Sequence, residues 1–378
     1  MRPEVFGRNS DIDRRSFVRS AVLPALCAAV GCREAEAAAS LSRREAQFYE
    51  KLPNKKIRCT LCPRGCVIDD RERGYCGVRE NRDGTYYTLV HSRPCSVHID
   101  PVEKKPLFHF YPGTLAFSLA TAGCNVNCKF CQNWEISQVR PEQVRNAELS
   151  PDQVATLARD NRCASIAYTY SEPVVFYEYV YDTALAGNAL GIKSVVITNG
   201  YIQQEPLKKL CAHVEGIKVD LKAFSDKFYR EVVNGELKPV LESIVTIHRQ
   251  RTWLEIVYLV IPTLNDSDQE FRGLCQWMRR ELGVEVPVHF TSFHPQYLLK
   301  NLPPTPLATL ERAKRIADAE GLNYVYIGNV PGHPAESTYC PRCKEVVIQR
   351  TGFMIERMNL KKGSCAKCGT AIAGRWKS

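Results

Sequence analysis

The chain has 378 residues, 44% of them hydrophobic and 24% charged, with a formal net charge of +10. That is enough apolar content for a large core and for more than one domain. Its 17 cysteines fall mostly in tight groups with two- or three-residue gaps, which argues against the disulfide framework of a small secreted protein and for metal chelation.

The first forty residues read as a leader. "DRRSFVRS" (13–20) pairs Arg14 with Arg15 and places Phe17 shortly after them. "AVLPALCAAVGC" follows, too short to span a bilayer as a helix, and then the small-residue run "REAEAAAS". A charged region, a short apolar region and an Ala-rich exit form an export-signal layout, and the paired arginines resemble a twin-arginine signal. The layout predicts a Tat-like signal over 1–40 and export or a membrane-face location, with a cytoplasmic location as the alternative. Cys32, after Gly31, is a weak lipidation candidate. No other segment is long and apolar enough to cross a membrane.

Residues 41–112 form a Cys-rich module. "CTLCPRGCVIDDRERGYCGVRE" carries Cys59, Cys62, Cys66 and Cys76. "GTYYTLVHSRPCSVHI" (84–99) alternates in a way that predicts a β-hairpin, and "DPVEKKPLFHFYPG" (100–113) is a Pro-bounded connector.

From 113 to 335 the pattern alternates. Apolar, β-rich runs occur at 115–120, 164–169, 192–198, 214–220, 253–261, 287–293 and 324–328. Helical patterns lie between most of them, at 151–160, 174–190, 203–212, 238–250, 268–282 and 307–320, the first with Ser150 as N-cap and Pro151 behind it. Alternation of this kind gives βαβ units and a parallel sheet. The number of units falls short of a closed eight-fold barrel, so the predicted fold class is α/β, an open, partial (β/α) barrel. Residues 336–378 form a further small module, with Cys340, Cys343, Cys365 and Cys368 as two C-x2-C knuckles. Such a pair reads as a zinc ribbon, with a rubredoxin-type iron site as the runner-up.

The charge sits at the ends. Residues 41–82 hold 11 Lys/Arg against 6 Asp/Glu, and 339–378 hold 9 against 2, whereas 83–338 hold 25 against 28. A nucleic acid or another acidic partner fits that distribution, and so does a solvated basic face.

Polar groups follow six of the predicted strands. They are the cysteine loop, Ser171-Glu172, Thr198-Asn199, Asp220 with Lys222, Asn265-Asp266, and His294. In a β/α barrel the carboxyl ends of the strands share one face, where active sites are built. The loop "GCNVNCKFCQNWEISQ" holds Cys124, Cys128 and Cys131 as C-x3-C-x2-C. Thiolates are soft ligands that suit zinc or iron–sulfur clusters. Three of them on a four-iron cluster leave one iron open, and an open position belongs to chemistry rather than to stapling.

This spacing, with Phe130 before the last cysteine, resembles the radical S-adenosylmethionine (AdoMet) signature. "CTLCPRGC", "TYSEP", "TNGY", "DLKAF", "VIPTLNDS" and "YVYIGNVPG" together resemble the radical AdoMet component of the AmmeMemoRadiSam system, a relative of pyruvate formate-lyase activating enzyme, over about residues 58–378. The resemblance implies a [4Fe–4S] cluster on Cys124, Cys128 and Cys131, AdoMet on the open iron, and a 5′-deoxyadenosyl radical that abstracts hydrogen from a substrate. It implies that Glu172 meets the AdoMet amino group, beside Phe130. Tyr170 and Ser171 stand where two glycines are usual. It further implies that Thr198 and Asn199 form the next turn, that Asp220 and Lys222 lie near the AdoMet carboxylate, and that His294 faces the adenosyl end. The partners it implies are a reductant such as flavodoxin or ferredoxin and Memo-type and AMMECR-type proteins. Cys59, Cys62, Cys66 and Cys76 suit zinc or an auxiliary iron–sulfur cluster, with Cys95 as a substitute ligand. Two other functions compete: a glycyl-radical activase, and a zinc-ribbon nucleic-acid-binding protein with a passive cluster.

The leader contributes no strand and lies outside the resemblance. A chain that starts near Ser40 is therefore expected to fold and bind its metals. Soluble yield and metal content of the truncated protein, compared with full length, check this.

Overall fold

The computed structural model describes residues 41–376; the signal and lipidation readings over 1–40 lie outside the described residues. Two small antiparallel sheets come first. β1 (Arg44–Glu45) pairs with β6 (Thr85–Thr88), which pairs with β5 (Arg79–Arg82). β2 (Tyr49–Lys51), β3 (Ile57–Cys59) and β4 (Val67–Ile68) form the second.

The hairpin expected over 84–99 is corrected here. The tight hairpin joins β5 to β6, and it turns on Asp83-Gly84, which take φ of +53° and +77°. Those values are what a two-residue turn between twisted strands demands, and Asp-Gly is a favoured pair for it. The segment expected to form the second arm, β7 (Ser96–Pro101), leaves this module. It runs antiparallel to β8 (Leu115–Ala120), from Ser96 opposite Ala120 to Pro101 opposite Leu115.

β8 opens a repeating unit. β9 (Ser165–Tyr168), β10 (Lys193–Thr198), β11 (Gly216–Asp220), β12 (Trp253–Val260), β13 (Val288–Ser292) and β14 (Val325–Gly328) follow it, each parallel to the last. The result is one mixed eight-stranded sheet whose spatial order is the chain order, with β7 and β14 at its edges. The crossovers carry α1 (Pro151–Asp160), α2 (Tyr177–Ala189), α3 (Gln204–Cys211), α4 (Leu237–Arg249), α5 (Asp268–Leu282) and α6 (Leu307–Ala319). Local sequence explains their starts. The Ser150 side chain accepts from Gln153 N, with Pro151 in the first turn, and Ser267 accepts from Glu270 N. β9 is buried along its whole length, as a strand covered on both faces must be. No helix among the described residues is long and apolar enough to cross a membrane.

The connector closes the amino end of the sheet. Glu255, near the start of β12, accepts hydrogen bonds from Phe108 N (3.0 Å), His109 N (2.8 Å), Trp253 Nε1 (3.0 Å) and His289 Nε2 (2.8 Å). Arg350, on β15 (Val346–Thr351), donates to Phe108 O at 2.7 Å. Phe108, Tyr324 and Tyr326 share one apolar cluster with Cys340, Val347, Ile348 and Cys365. The C-terminal module therefore packs on the connector and on β14.

The Cys-rich module is held to α2 by a buried ion pair. Arg79 on β5 donates to Glu178, and both side chains are at most 1% exposed; Glu178 Oε1 also accepts from Gln47 N at 2.6 Å. Removing one partner of a buried pair leaves an uncompensated charge and costs about 3–5 kcal/mol. Glu178→Ala is expected to lose stability on that scale in a urea melt, and the double change Arg79→Met/Glu178→Leu to lose less than the single one.

Candidate active site

The cysteine loop leaves β8 at the carboxyl end of the sheet, and its backbone is anchored mainly from outside itself. Asn127 N donates to Val233 O (3.0 Å) and Lys129 N to Val232 O (2.9 Å). Those carbonyls lie on a single π-helical turn, Tyr229–Val233, an irregularity often found at functional sites. Gly123 N donates to Ile136 O at 2.9 Å, and Arg64 Nε to Asn125 O at 2.5 Å. Gly123 takes φ +96°, and a Cβ there would lie 2.8 Å from Cys76 O and 2.6 Å from Val78 Cγ1; only glycine allows the two backbones to meet. Phe130 is buried against Phe228, ring centres 6.0 Å apart.

Beside the loop lies a buried carboxylate. Glu172 accepts from Thr198 Oγ1 (2.6 Å), Asn199 N (2.8 Å) and Val174 N (3.1 Å). Burial pushes it up to about 7 against the pull of those three donors. A carboxylate has about four acceptor positions, so three donors leave room for one more. Ser171 donates to Thr121 O at 2.7 Å. Tyr170 takes φ +66°, a left-handed conformation that ordinarily favours glycine. Its hydroxyl donates to Asp100, and the Lys105 ammonium lies 4.5 Å from its ring centre.

The turn after β10 is laced to the loop. Asn199 Nδ2 donates to Asn125 Oδ1 at 2.9 Å and lies 3.8 Å from the Cys124 sulfur; Asn125 Nδ2 donates to Tyr201 O at 2.7 Å. On the next strand Asp220 lies between two lysines, Lys218 and, at 3.2 Å, Lys222. Burial would raise its carboxyl, but the two ammonium groups hold it down at about 2. Burial likewise pushes the Cys128 thiol up to about 12, opposed by the nearby Lys222 charge. Glu172 thus lies near Cys124 and Cys128, and Lys222 near Cys128 and Cys131. Asn265 fixes the lysine's backbone by donating to Lys222 O at 2.8 Å. His294 is exposed beyond β13.

Residues 118–275 match the model of the radical SAM superfamily. Over 331 residues the chain is 46% identical to the uncharacterized protein MJ0808 of Methanocaldococcus jannaschii, covering 87% of this chain and 98% of that one. The chain belongs to the family of that archaeal protein and carries a radical SAM domain. It is also 24% identical over 213 residues to the pyruvate formate-lyase 1-activating enzyme of Escherichia coli K12, covering 53% of this chain and 87% of that enzyme. Among solved structures it resembles a radical SAM methyltransferase from Sphaerobacter thermophilus at 19% identity, with a TM-score of 0.46, over 58% of this chain and 68% of that one.

The radical SAM domain implies a [4Fe–4S] cluster and AdoMet, and the residues present fit both. Three thiols meet at one strand end, where an iron cluster held by three cysteines keeps one iron open. A buried carboxylate and a lysine near the thiols complement the amino and carboxylate groups of an amino acid. The C-terminal quartet is separate: Cys340, Cys343, Cys365 and Cys368 have all four sulfurs within 4.8 Å of one another and could hold a metal ion.

Lys218, Asn125 and Arg64 were not singled out from the sequence. Lys218 was legible in principle, because it shares a strand face with Asp220 two residues on. Asn125 and Arg64 act across long sequence separations and carry no local pattern. Glu172→Gln keeps the shape of the carboxyl group and removes its charge. It is expected to weaken AdoMet binding by about 1.5–3 kcal/mol, the worth of a charge-assisted hydrogen bond, with iron content unchanged. Calorimetric titration of the reconstituted protein checks both.

Proposed function

We propose that this chain is a radical AdoMet enzyme that abstracts hydrogen from a substrate group, and that it is the radical component of an AmmeMemoRadiSam-type system working with Memo-type and AMMECR-type partners. The observation that carries the enzymatic reading is the proximity of Cys124, Cys128 and Cys131 to both Glu172 and Lys222 within a radical SAM domain. The bound cluster and AdoMet supply a one-electron cleavage that yields a hydrogen-abstracting carbon radical. The chain's residues supply its setting. Glu172, oriented by Thr198 and Asn199, receives the AdoMet ammonium. Lys222, held beside Asp220, faces its carboxylate. Ser171 secures the start of the loop, and buried Phe130 anchors its end. His294, exposed beyond β13, is assigned to the adenosyl end in this reading. A low-potential donor of the flavodoxin or ferredoxin class supplies the electron.

In this reading the parallel strands form a partial (β/α) barrel over 113–335, which β7 extends from the Cys-rich module at 41–112 before it, and a zinc ribbon at 336–378 follows. Two sulfur pairs of the ribbon, Cys340–Cys368 and Cys343–Cys365, lie 3.6 and 3.7 Å apart. A tetrahedral zinc with bonds of about 2.3 Å holds its sulfurs about 3.8 Å apart. The leader directs the chain to export or to a membrane face.

A second reading, activation of a glycyl-radical enzyme, draws on the similarity to the E. coli activating enzyme. It differs in requiring a partner with a radical-bearing glycine loop. Nucleic-acid binding by the basic ends would leave the buried Glu172–Lys222 arrangement without a use.

Cys128→Ala is expected to abolish 5′-deoxyadenosine formation from AdoMet after dithionite reduction, since two thiolates cannot hold the cluster, while the C-terminal metal stays. Replacing Cys365 and Cys368 should release that metal and leave part of the cleavage activity. Anaerobic metal analysis and product quantification of both variants decide the matter; undiminished cleavage by Cys128→Ala would overturn the radical mechanism.

A further inference from the structure

Among the cysteines left without a role are four close together in the chain: Cys59, Cys62, Cys66 and Cys76. The fold gathers them. Cys59, at the end of β3, donates its N–H to Cys66 O at 2.9 Å, which folds the Cys62–Cys66 loop back on the strand. Cys76 arrives from the turn closed by Gly77 N to Gly74 O at 2.9 Å. Cys59, Cys66 and Cys76 all lie in the electrostatic neighbourhood of Cys62. Cys95 is not among those neighbours. Its N–H pairs with Ala120 O at 2.8 Å, just before β7.

The spacing of the sulfurs tells the kind of centre. One tetrahedral ion requires its sulfurs about 3.8 Å apart, and the C-terminal quartet has that geometry, with 3.6 and 3.7 Å. Among the described residues it is the only group with three or more ligand atoms within 4.8 Å of one another. The Cys59–Cys76 quartet is gathered but more widely spread, and so are Cys124, Cys128 and Cys131. In a cubane each cysteine sulfur sits on a different iron, so the sulfurs stand farther apart than around a single ion. The quartet at 59–76 is like the trio of the radical SAM loop, and unlike the C-terminal quartet, in having no three sulfurs within 4.8 Å of one another.

The quartet also adjoins that loop. Arg64, between Cys62 and Cys66, donates to Asn125 O and Asn234 O. The Cys76 carbonyl lies where a Cβ on Gly123 would clash. One cavity of about 910 Å³ is lined by both Cys76 and Cys124, with Arg73, Tyr75 and Arg140.

We propose that Cys59, Cys62, Cys66 and Cys76 hold a second iron–sulfur cluster, coordinatively closed, beside the first. Four protein thiolates leave no iron open, so this centre can exchange electrons but cannot chelate AdoMet. The assignment stands on the quartet's own geometry; that its neighbour is the AdoMet-binding cluster rests on the function proposed above.

The test is anaerobic reconstitution of the full chain with ferrous iron and sulfide in the presence of zinc. Iron, sulfide and zinc are then counted, and paramagnetic resonance is recorded after dithionite reduction. The wild-type protein should hold about eight irons and one zinc. The triple variant Cys124→Ala/Cys128→Ala/Cys131→Ala should keep about four irons and a reduced-cluster signal that added AdoMet does not change. About four irons and two zincs in the wild type, with none of the iron left in the triple variant, would overturn the proposal. The wild-type count decides even if the triple variant does not fold. Neither count depends on AdoMet cleavage, so failure of the enzymatic reading would be visible separately.

Discussion

Three thiolates must converge in a loop that has few backbone hydrogen bonds of its own, and the surroundings of residues 121–131 answer that constraint. The loop is pinned by carbonyls from the π turn at Tyr229–Val233, by Arg64 from the Cys-rich module, by Asn199 after β10 and by Ile136 just downstream. These anchors come from segments far apart in the chain. All but Asn199, which holds the Asn125 side chain, satisfy backbone groups that would otherwise be buried without partners. The positive φ of Gly123 belongs to the same solution, because it lets the Cys76 backbone approach where any side chain would collide.

Charge is arranged around that loop with its cost offset locally. Lys218 and Lys222 share Asp220, so three buried or half-buried charges satisfy one another. Glu172 gains three donors in place of water. Buried charges without such partners are expensive, and these partners keep the groups aimed at one place. The amino end of the sheet is treated in the same way but with no opening. There Glu255 takes four donors and ties the connector to β12 and β13, while Arg350 fastens the C-terminal module over it. One end of the sheet is closed by a polar network centred on Glu255, and the other carries the thiols.

Metal geometry separates two kinds of cysteine group within one polypeptide. The C-terminal thiols are drawn together tightly enough for one ion, and the other two groups are not. All three groups use two- or three-residue gaps, and the two quartets add a longer one, nine residues between Cys66 and Cys76 and 21 between Cys343 and Cys365. The difference lies in how the strands and turns on either side hold the sulfur atoms apart.

The sequence by itself determined the alternation of strands and helices, because the apolar period is set residue by residue and survives any arrangement of the units. It also determined the motifs at strand ends, since in a parallel sheet direction alone places them on one face: Glu172, Thr198, Asn199, Asp220 and Lys222 could be named from their positions. Only the tertiary structure decided the fate of β7. Its alternating residues fit a hairpin and a sheet edge equally well, and the choice depended on a turn at Asp83-Gly84 and on the free edge of β8. Only it showed that Asn125, Arg64 and Lys218 belong to the site, that Phe130 is buried and that His294 is exposed. Local patterns encode which backbone a segment prefers. The contacts of a side chain a hundred residues away are fixed only when the sheet brings the segments together.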